Sequence, residues 1–418
     1  MQHDFGRRPS WLGTITATVV SAAVLLGGCA ATIERNPVPA TAFESLPPVG
    51  RIGAARTWGD EVPKDLRAEL KRHLPNMPEL GRDAPVVGGR KQIEILALSG
   101  GGPDGAFGAG LLTGWTARGD RPEFELVTGV SAGAIIAPFA FLGPAYDRQL
   151  EEVWTRYEAR QLVTAQFLPG ILGGPALADT APLRELIAKH VDKAFLRQVA
   201  AEYRRGRLLT IGTTNIDAKR PVVWNMGEIS LAGSDEAVEL FRDVILASAS
   251  IPGLFPPVNI KVKVDGATYD ELHVDGGVTR QVYVAPLNVP YRQFDQFYRT
   301  QPERRLYVVQ NNKLSADYAP VAEKTLPIAA SSISTLLTSQ NKGDLYRIYR
   351  MSRDASVDFN MIAVPDAFEP RKTGQTFDPA YQRALFDEGF RLGKAGPSAW
   401  LKSPPDVAPA ARFQTARD

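Results

Sequence analysis

The stretch KQIEILALSGGGPDGAFGAGLL, Lys91 to Leu112, limits the possible folds most: an Ile- and Leu-rich run breaks into Gly100, Gly101 and Gly102, then resumes in a helical composition. A short apolar run bounded by turn residues suits a buried strand of a parallel sheet. A strand that passes through glycines into a helix presents backbone N–H groups to an anion, either a phosphate or an oxyanion. Gly100, Gly102 and Gly105 satisfy the dinucleotide pattern G-x-G-x-x-G, and Glu125 stands the required ~20 residues further on. That acid should lie at the carboxyl end of the second strand, whereas Glu125 begins FELVTGV. A Walker loop fails because no Lys follows the glycines in G-K-[ST] form.

The carboxyl end of that second strand carries GVSAG, Gly129 to Gly133, followed by the apolar run AGAIIAPFAFLG. G-x-S-x-G between strand and helix is the context of a nucleophile elbow, where flanking glycines relieve a sharp turn and the serine hydroxyl points outward. The helix that follows aims its first N–H groups at any anion formed beside Ser131. The backbone N–H groups of Gly100, Gly101 and Gly102 are then expected across neighbouring strand ends, holding the oxyanion of a tetrahedral intermediate.

A serine nucleophile needs a base, and the chain has four histidines. His3 and His73 lie before the glycine loop, and His190 falls on the helical pattern TAPLRELIAKHVDKAF, where a solvent-facing or capping role is expected. His273 occurs in ELHVDGGVTRQ, two residues before Asp275 and so on the same face of a strand. It could tune that carboxylate, but a surface or core position is the preferred reading.

The order and spacing of GGGPDG, GVSAG and DGG resemble the patatin-like phospholipase family. LLTIGTTNIDAKRPVVWNMG, ASASIPGLFPPV and FDPAYQRALFDEGFRLGKAG extend the similarity over roughly Ile93 to Gly396. The resemblance implies a three-layer α/β/α fold with a mainly parallel central sheet and a Ser-Asp dyad that works without histidine. Carried over, Ser131 is the nucleophile, Asp275 the general base and Gly100 to Gly102 the oxyanion hole. An Asp of ordinary pKa near ~4 is a poor base at neutral pH, so partial burial is expected to raise it. One position departs from the family pattern: Asp104 stands where a basic residue is expected. Its carboxylate is expected to cap the helix that begins near Gly105.

The resemblance makes the chain a hydrolase of lipid acyl esters, with lipid as its partner and no cofactor or metal; the acids and histidines near the motifs also lack ligand spacing. A soluble-ester esterase, a non-catalytic envelope scaffold and a nucleotide-binding protein are the alternatives. Nucleic acid is disfavoured: the net charge is +2, and the one basic cluster, YRRGR at Tyr203 to Arg207, reads as a solvated face.

Residues 1–28 read as a signal peptide, with Arg7 and Arg8 before the uncharged run WLGTITATVVSAAVLLGG. Cys29, the only cysteine, follows that run in a setting that resembles the bacterial lipoprotein box, so acylation at Cys29 and anchoring at the envelope are expected. Ala30, rather than Asp, favours the outer membrane. Residues 29–90 are read as a Pro/Gly-rich tether and lead-in, 91–400 as the hydrolase domain and 401–418 as a flexible tail. Later strands are expected at RRLYVVQNN and FNMIAVP. A helix capped by Asp378 should start at Pro379 and bury Tyr381, Leu385, Gly389 and Leu392.

Overall fold

The apolar run ending at Leu98 forms a central strand of a mixed sheet in the computed structural model, which describes residues 35–52, 55–61, 83–156, 164–165, 178–284, 301–315, 318–369 and 378–405. In chain order the first elements are β1 (Arg56–Trp58), β2 (Val86–Val87), β3 (Arg90–Leu98), α1 (Gly105–Arg118), β4 (Leu126–Val130), α2 (Ala132–Leu142) and α3 (Asp147–Thr155). A short strand pair, β5 (Thr164–Ala165) and β6 (Ala178–Asp179), precedes α4 (Ala181–His190) and α5 (Lys193–Arg204). Next come β7 (Leu208–Asn215), β8 (Arg220–Asn225), α6 (Met226–Leu231), α7 (Asp235–Ser248), β9 (Val258–Val264) and β10 (Ala267–Asp275). The last are β11 (Glu303–Gln310), α8 (Thr325–Asp354), β12 (Asp358–Ala363) and α9 (Pro379–Ala395).

Among the described residues ten strands share one sheet, whose main path is β1-β8-β7-β4-β3-β11-β12. The stretch from β7 through β4, β3 and β11 to β12 is parallel. β8 and β10 join β7 antiparallel, β1 pairs with β8, and β9 extends β10. The period-two alternation of β3 separates the layers. Ile93, Ile95 and Ala97 pack with Leu345 and Ile348 of α8 on one face. Leu96 and Leu98 join residues of α1, α2, α7 and α9 on the other. These two cores make the expected α/β/α arrangement.

Helix α9 starts as expected, with the Asp378 carboxylate accepting the N–H groups of Ala380 and Tyr381 and Pro379 in the first turn. It lies close against α1 because glycines meet at the crossing. A Cβ at Gly110 would stand 2.0 Å from the Phe386 carbonyl oxygen, and one at Gly389 would stand 2.1 Å from that of Phe107. Leu385 and Gly389 are buried, while Tyr381 and Leu392 are partly buried against the same core.

Three expectations need correction. Residues 35–52 and 55–61 are part of the domain body, not a tether: β1 pairs with β8, and Ile52 and Trp58 are buried. Arg56 makes a buried ion pair with Glu271, and the Asp270 N–H donates to the Asn36 carbonyl while the Asn36 N–H donates to the Asp270 carboxylate. YRRGR is a solvated face only at Arg204 and Arg205, since Tyr203 is buried and Arg207 donates to the carbonyls of Phe124 and Phe141. Leu401, placed at the start of the tail, exchanges two backbone hydrogen bonds with Met361. The signal segment, Cys29 and His73 lie outside the described residues.

Candidate active site

Strand β4 ends at Val130, and the chain turns through Ser131 directly into α2. Ser131 has φ 54° and ψ −122°, a conformation costly for any residue with a side chain and typical of a serine held outward on an elbow. Only glycine fits on either side. A Cβ at Gly129 would be 2.4 Å from the Gly133 carbonyl oxygen, and one at Gly133 would be 2.3 Å from that of Leu98. The elbow is also clamped from behind, because the Ser131 N–H donates to Ser248 Oγ at 3.0 Å and Ser248 donates to the Gly212 carbonyl at 2.6 Å.

Strand β10 delivers Asp275 to the same place. Its N–H donates to the Ser250 carbonyl at 2.9 Å, so ASASIPG holds the turns bearing both Ser131 and Asp275. The Asp275 carboxylate accepts the Gly277 N–H at 2.7 Å and faces the Ser131 hydroxyl, which donates to it. Asp275 is only 4% exposed. Burial pushes its carboxyl up to about 7, outweighing the two hydrogen bonds that favour the charged form.

The glycine loop stands against Ser131: a Cβ at Gly100 would lie 3.1 Å from the Ser131 Cβ. The three expected donors are not equivalent. The Gly100 N–H already donates to the Gln281 carbonyl at 3.0 Å, so it is removed from the set. The N–H groups of Gly101 and Gly102 have no acceptor among the described residues. Asn311 and Asn312, just past β11, hold this loop by donating from their side chains to the carbonyls of Ser99 at 2.8 Å and Gly100 at 3.0 Å. Sequence reasoning missed Ser248, Gln281, Asn311 and Asn312 as supports of the site.

Asp104 occupies the N-cap position of α1, but its side chain accepts no capping hydrogen bond, contrary to expectation. Glu125 is a structural acid whose carboxylate accepts the Glu94 N–H at 2.6 Å. His190 ends α4 edge-on to the Phe139 ring. His273 is wholly buried and bonded to Thr213 Oγ1 at 2.9 Å and Glu271 at 3.1 Å. The Glu271 carboxylate can only accept, so Nε2 carries the proton, and because burial lowers the His273 pKa the ring is neutral and its Nδ1 accepts from the Thr213 hydroxyl. It is a core histidine.

Beside Ser131 opens a cleft lined by Ile135, Val153, Trp154, Leu183, Leu186, Leu254 and Phe255 among others. Its walls are almost entirely apolar, and the hydroxyl of Ser131 lies at its edge. The arrangement can therefore seat a hydrocarbon chain while its carbonyl lies between a serine, a near-neutral carboxyl and two unpaired N–H groups.

Residues 96–288 match the model of a family described as patatin-like phospholipase. Among solved structures, VipD from Legionella pneumophila is similar at 11% sequence identity and a TM-score of 0.35, over 76% of this chain and 70% of that one. No curated protein sequence matches.

Proposed function

We propose that the chain, whose residues 96–288 match the patatin-like phospholipase model, is a lipid acyl hydrolase that cleaves acyl esters of membrane lipids through Ser131 and Asp275 alone. The observation that carries this reading is the Ser131 hydroxyl facing the buried Asp275 carboxyl at the edge of the apolar cleft.

The acyl chain enters the cleft and the ester carbonyl stops over Ser131. Asp275 takes the hydroxyl proton as Oγ attacks, and the N–H groups of Gly101 and Gly102 receive the oxyanion, aided by the N-terminal end of α2. The intermediate collapses as Asp275 returns the proton to the leaving alcohol, which leaves a seryl ester. A water molecule then attacks that ester, with Asp275 again as base. A carboxyl near pH 7 suits both directions of transfer, because it is partly ionised at neutrality and still a competent acid.

The apolar lining of the cleft supports a lipid acyl ester over a polar soluble ester. We further propose that the chain is a lipoprotein, acylated at Cys29 and held at the outer membrane, on the strength of the LLGGCA sequence. Release of fatty acid from phospholipid by wild type, and none by a folded Ser131→Ala variant, tests the hydrolase reading. Equal turnover by the two would refute it.

A further inference from the structure

Helix α8 has two unlike halves. Its carboxyl-terminal half buries Leu345 and Ile348 against the sheet. The first half, TLPIAASSISTLLTSQ from Thr325 to Gln340, contains no Asp, Glu, Lys or Arg. It nevertheless stands in the open, with Ile328, Ile333 and Leu336 exposed by 50%, 46% and 68%. A solvated helix face ordinarily carries charge. At the helical repeat these three residues fall on one side together with the exposed Ser332 and Ser339, and Ser331, Ser334, Thr335 and Thr338 fall on the other. The hydroxyls of Thr335 and Thr338 donate back to the carbonyls of Ser331 and Ser334, so they can leave water already hydrogen-bonded.

The base of this exposed half is built into the candidate site. Gln340 donates from its side chain to the Thr279 carbonyl, and the Asp344 carboxylate accepts the Gln281 N–H at 2.9 Å. Gln281 in turn accepts the Gly100 N–H and donates to the Gly277 carbonyl at 3.2 Å. The uncharged half is preceded by the exposed pair Glu323 and Lys324 and followed by the exposed Lys342.

Building on the hydrolase reading, we propose that Thr325–Gln340 is an interfacial helix that lies in the lipid surface and seats the active site on its substrate. The occupant is lipid rather than a second protein copy because this uncharged half adjoins a site whose proposed substrate is membrane lipid, its exposed apolar side chains are few, and the hydroxyls of Thr335 and Thr338 are already bonded within the helix.

The test uses the full chain with Cys29→Ser, which removes the acyl anchor and the only cysteine together. Leu336→Cys is then labelled with an environment-sensitive nitrobenzoxadiazole, and Arg350→Cys on the other half of α8 serves as the control. Vesicles of equal parts phosphatidylethanolamine and phosphatidylglycerol should blue-shift the label at 336 and leave that at 350 unchanged. Ile333→Asp with Leu336→Asp should lower hydrolysis of vesicle phospholipid at least about tenfold and leave turnover of a soluble short-chain ester unaltered. A label at 336 indifferent to vesicles would overturn the proposal. So would a shift that appears without vesicles and grows with protein concentration, since the face would then pair with a second copy. Vesicle docking through residue 336 by a chain that hydrolyses no ester would support the interfacial helix and overturn the hydrolase reading instead.

Discussion

Replacing Asp275 by Asn should remove activity and, at alkaline pH, make the protein more stable. Asn retains a carbonyl to accept the Gly277 N–H but cannot take a proton from Ser131. The stability effect follows from burial, which raises the carboxyl from 3.8 to about 7. Each tenfold change in proton affinity is worth about 1.4 kcal/mol, so the charged form is disfavoured in the fold by about 4 kcal/mol. Below about pH 4 the group is protonated whether the chain is folded or not, and its burial is not penalised. Above that, the unfolded chain ionises first and native stability falls, until the folded carboxyl ionises near pH 7 and the loss levels off. The amide of the Asp275→Asn variant does not ionise and carries no such loss. Urea unfolding at pH 5 and pH 9 should therefore show the variant gaining on wild type by about 3 kcal/mol between the two pH values, other titrations cancelling in the comparison. Wild-type kcat/KM should rise with ionisation of the same group, with a midpoint near pH 7. A stability difference that stays flat from pH 5 to pH 9, or an Asp275→Asn enzyme that keeps most of its turnover, would refute this account of the base.

Ser248→Ala removes the hydroxyl that receives the Ser131 N–H, and should lower kcat about tenfold with a stability loss of about 1–3 kcal/mol; steady-state kinetics and urea unfolding read both. His273→Ala should destabilise the core yet leave turnover within about tenfold, and a collapse as deep as that of Asp275→Asn would mean that the histidine takes part in the chemistry. Cys29→Ser should move the protein out of the membrane fraction as judged by fractionation with radiolabelled palmitate, unless the apolar segment before it remains uncleaved as an anchor.

The parts of the site that were legible are those written in contiguous residues. Strand, glycine loop and helix succeed one another between Lys91 and Leu112, and the elbow and its helix do so between Glu125 and Leu142. The Asp378 cap is equally local. What holds these pieces together is not local. Ser248 reaches Ser131 across 117 residues because α7 ends on Gly212 of β7, the strand beside β4, and Asn311 reaches Ser99 across 212 because β11 lies beside β3. No spacing rule announces such partners before the strand order is known. Asp104 shows the converse limit, since its position identified an N-cap but not the direction of its side chain. Arg207 misled by composition: a guanidinium that donates to two backbone carbonyls is buried as a structural clasp, although it reads as surface charge.

The stretch before the glycine loop was misread for a related reason, since a three-residue strand has no periodicity to detect, yet Arg56 within it governs a buried charge. Glu271, His273 and Asp275 alternate along one face of β10, so the chain sets a carboxylate two pleats from the candidate base. Burial alone would raise Glu271, but the His273 hydrogen bond and the Arg56 ion pair together hold it at about 2. It is therefore a permanent anion, with both partners' side chains only 3% exposed. Arg56→Met would leave that charge buried without its cation, and should destabilise the protein by about 3–5 kcal/mol although the residue touches neither Ser131 nor Asp275. If the missing charge balance is the cause, adding Glu271→Gln, which still accepts from His273, should restore most of the loss. Urea unfolding of the two single variants and the double variant decides the matter: losses that simply add would show that Arg56 stabilises β1 by packing over Trp224 rather than by neutralising the carboxylate beneath the active site.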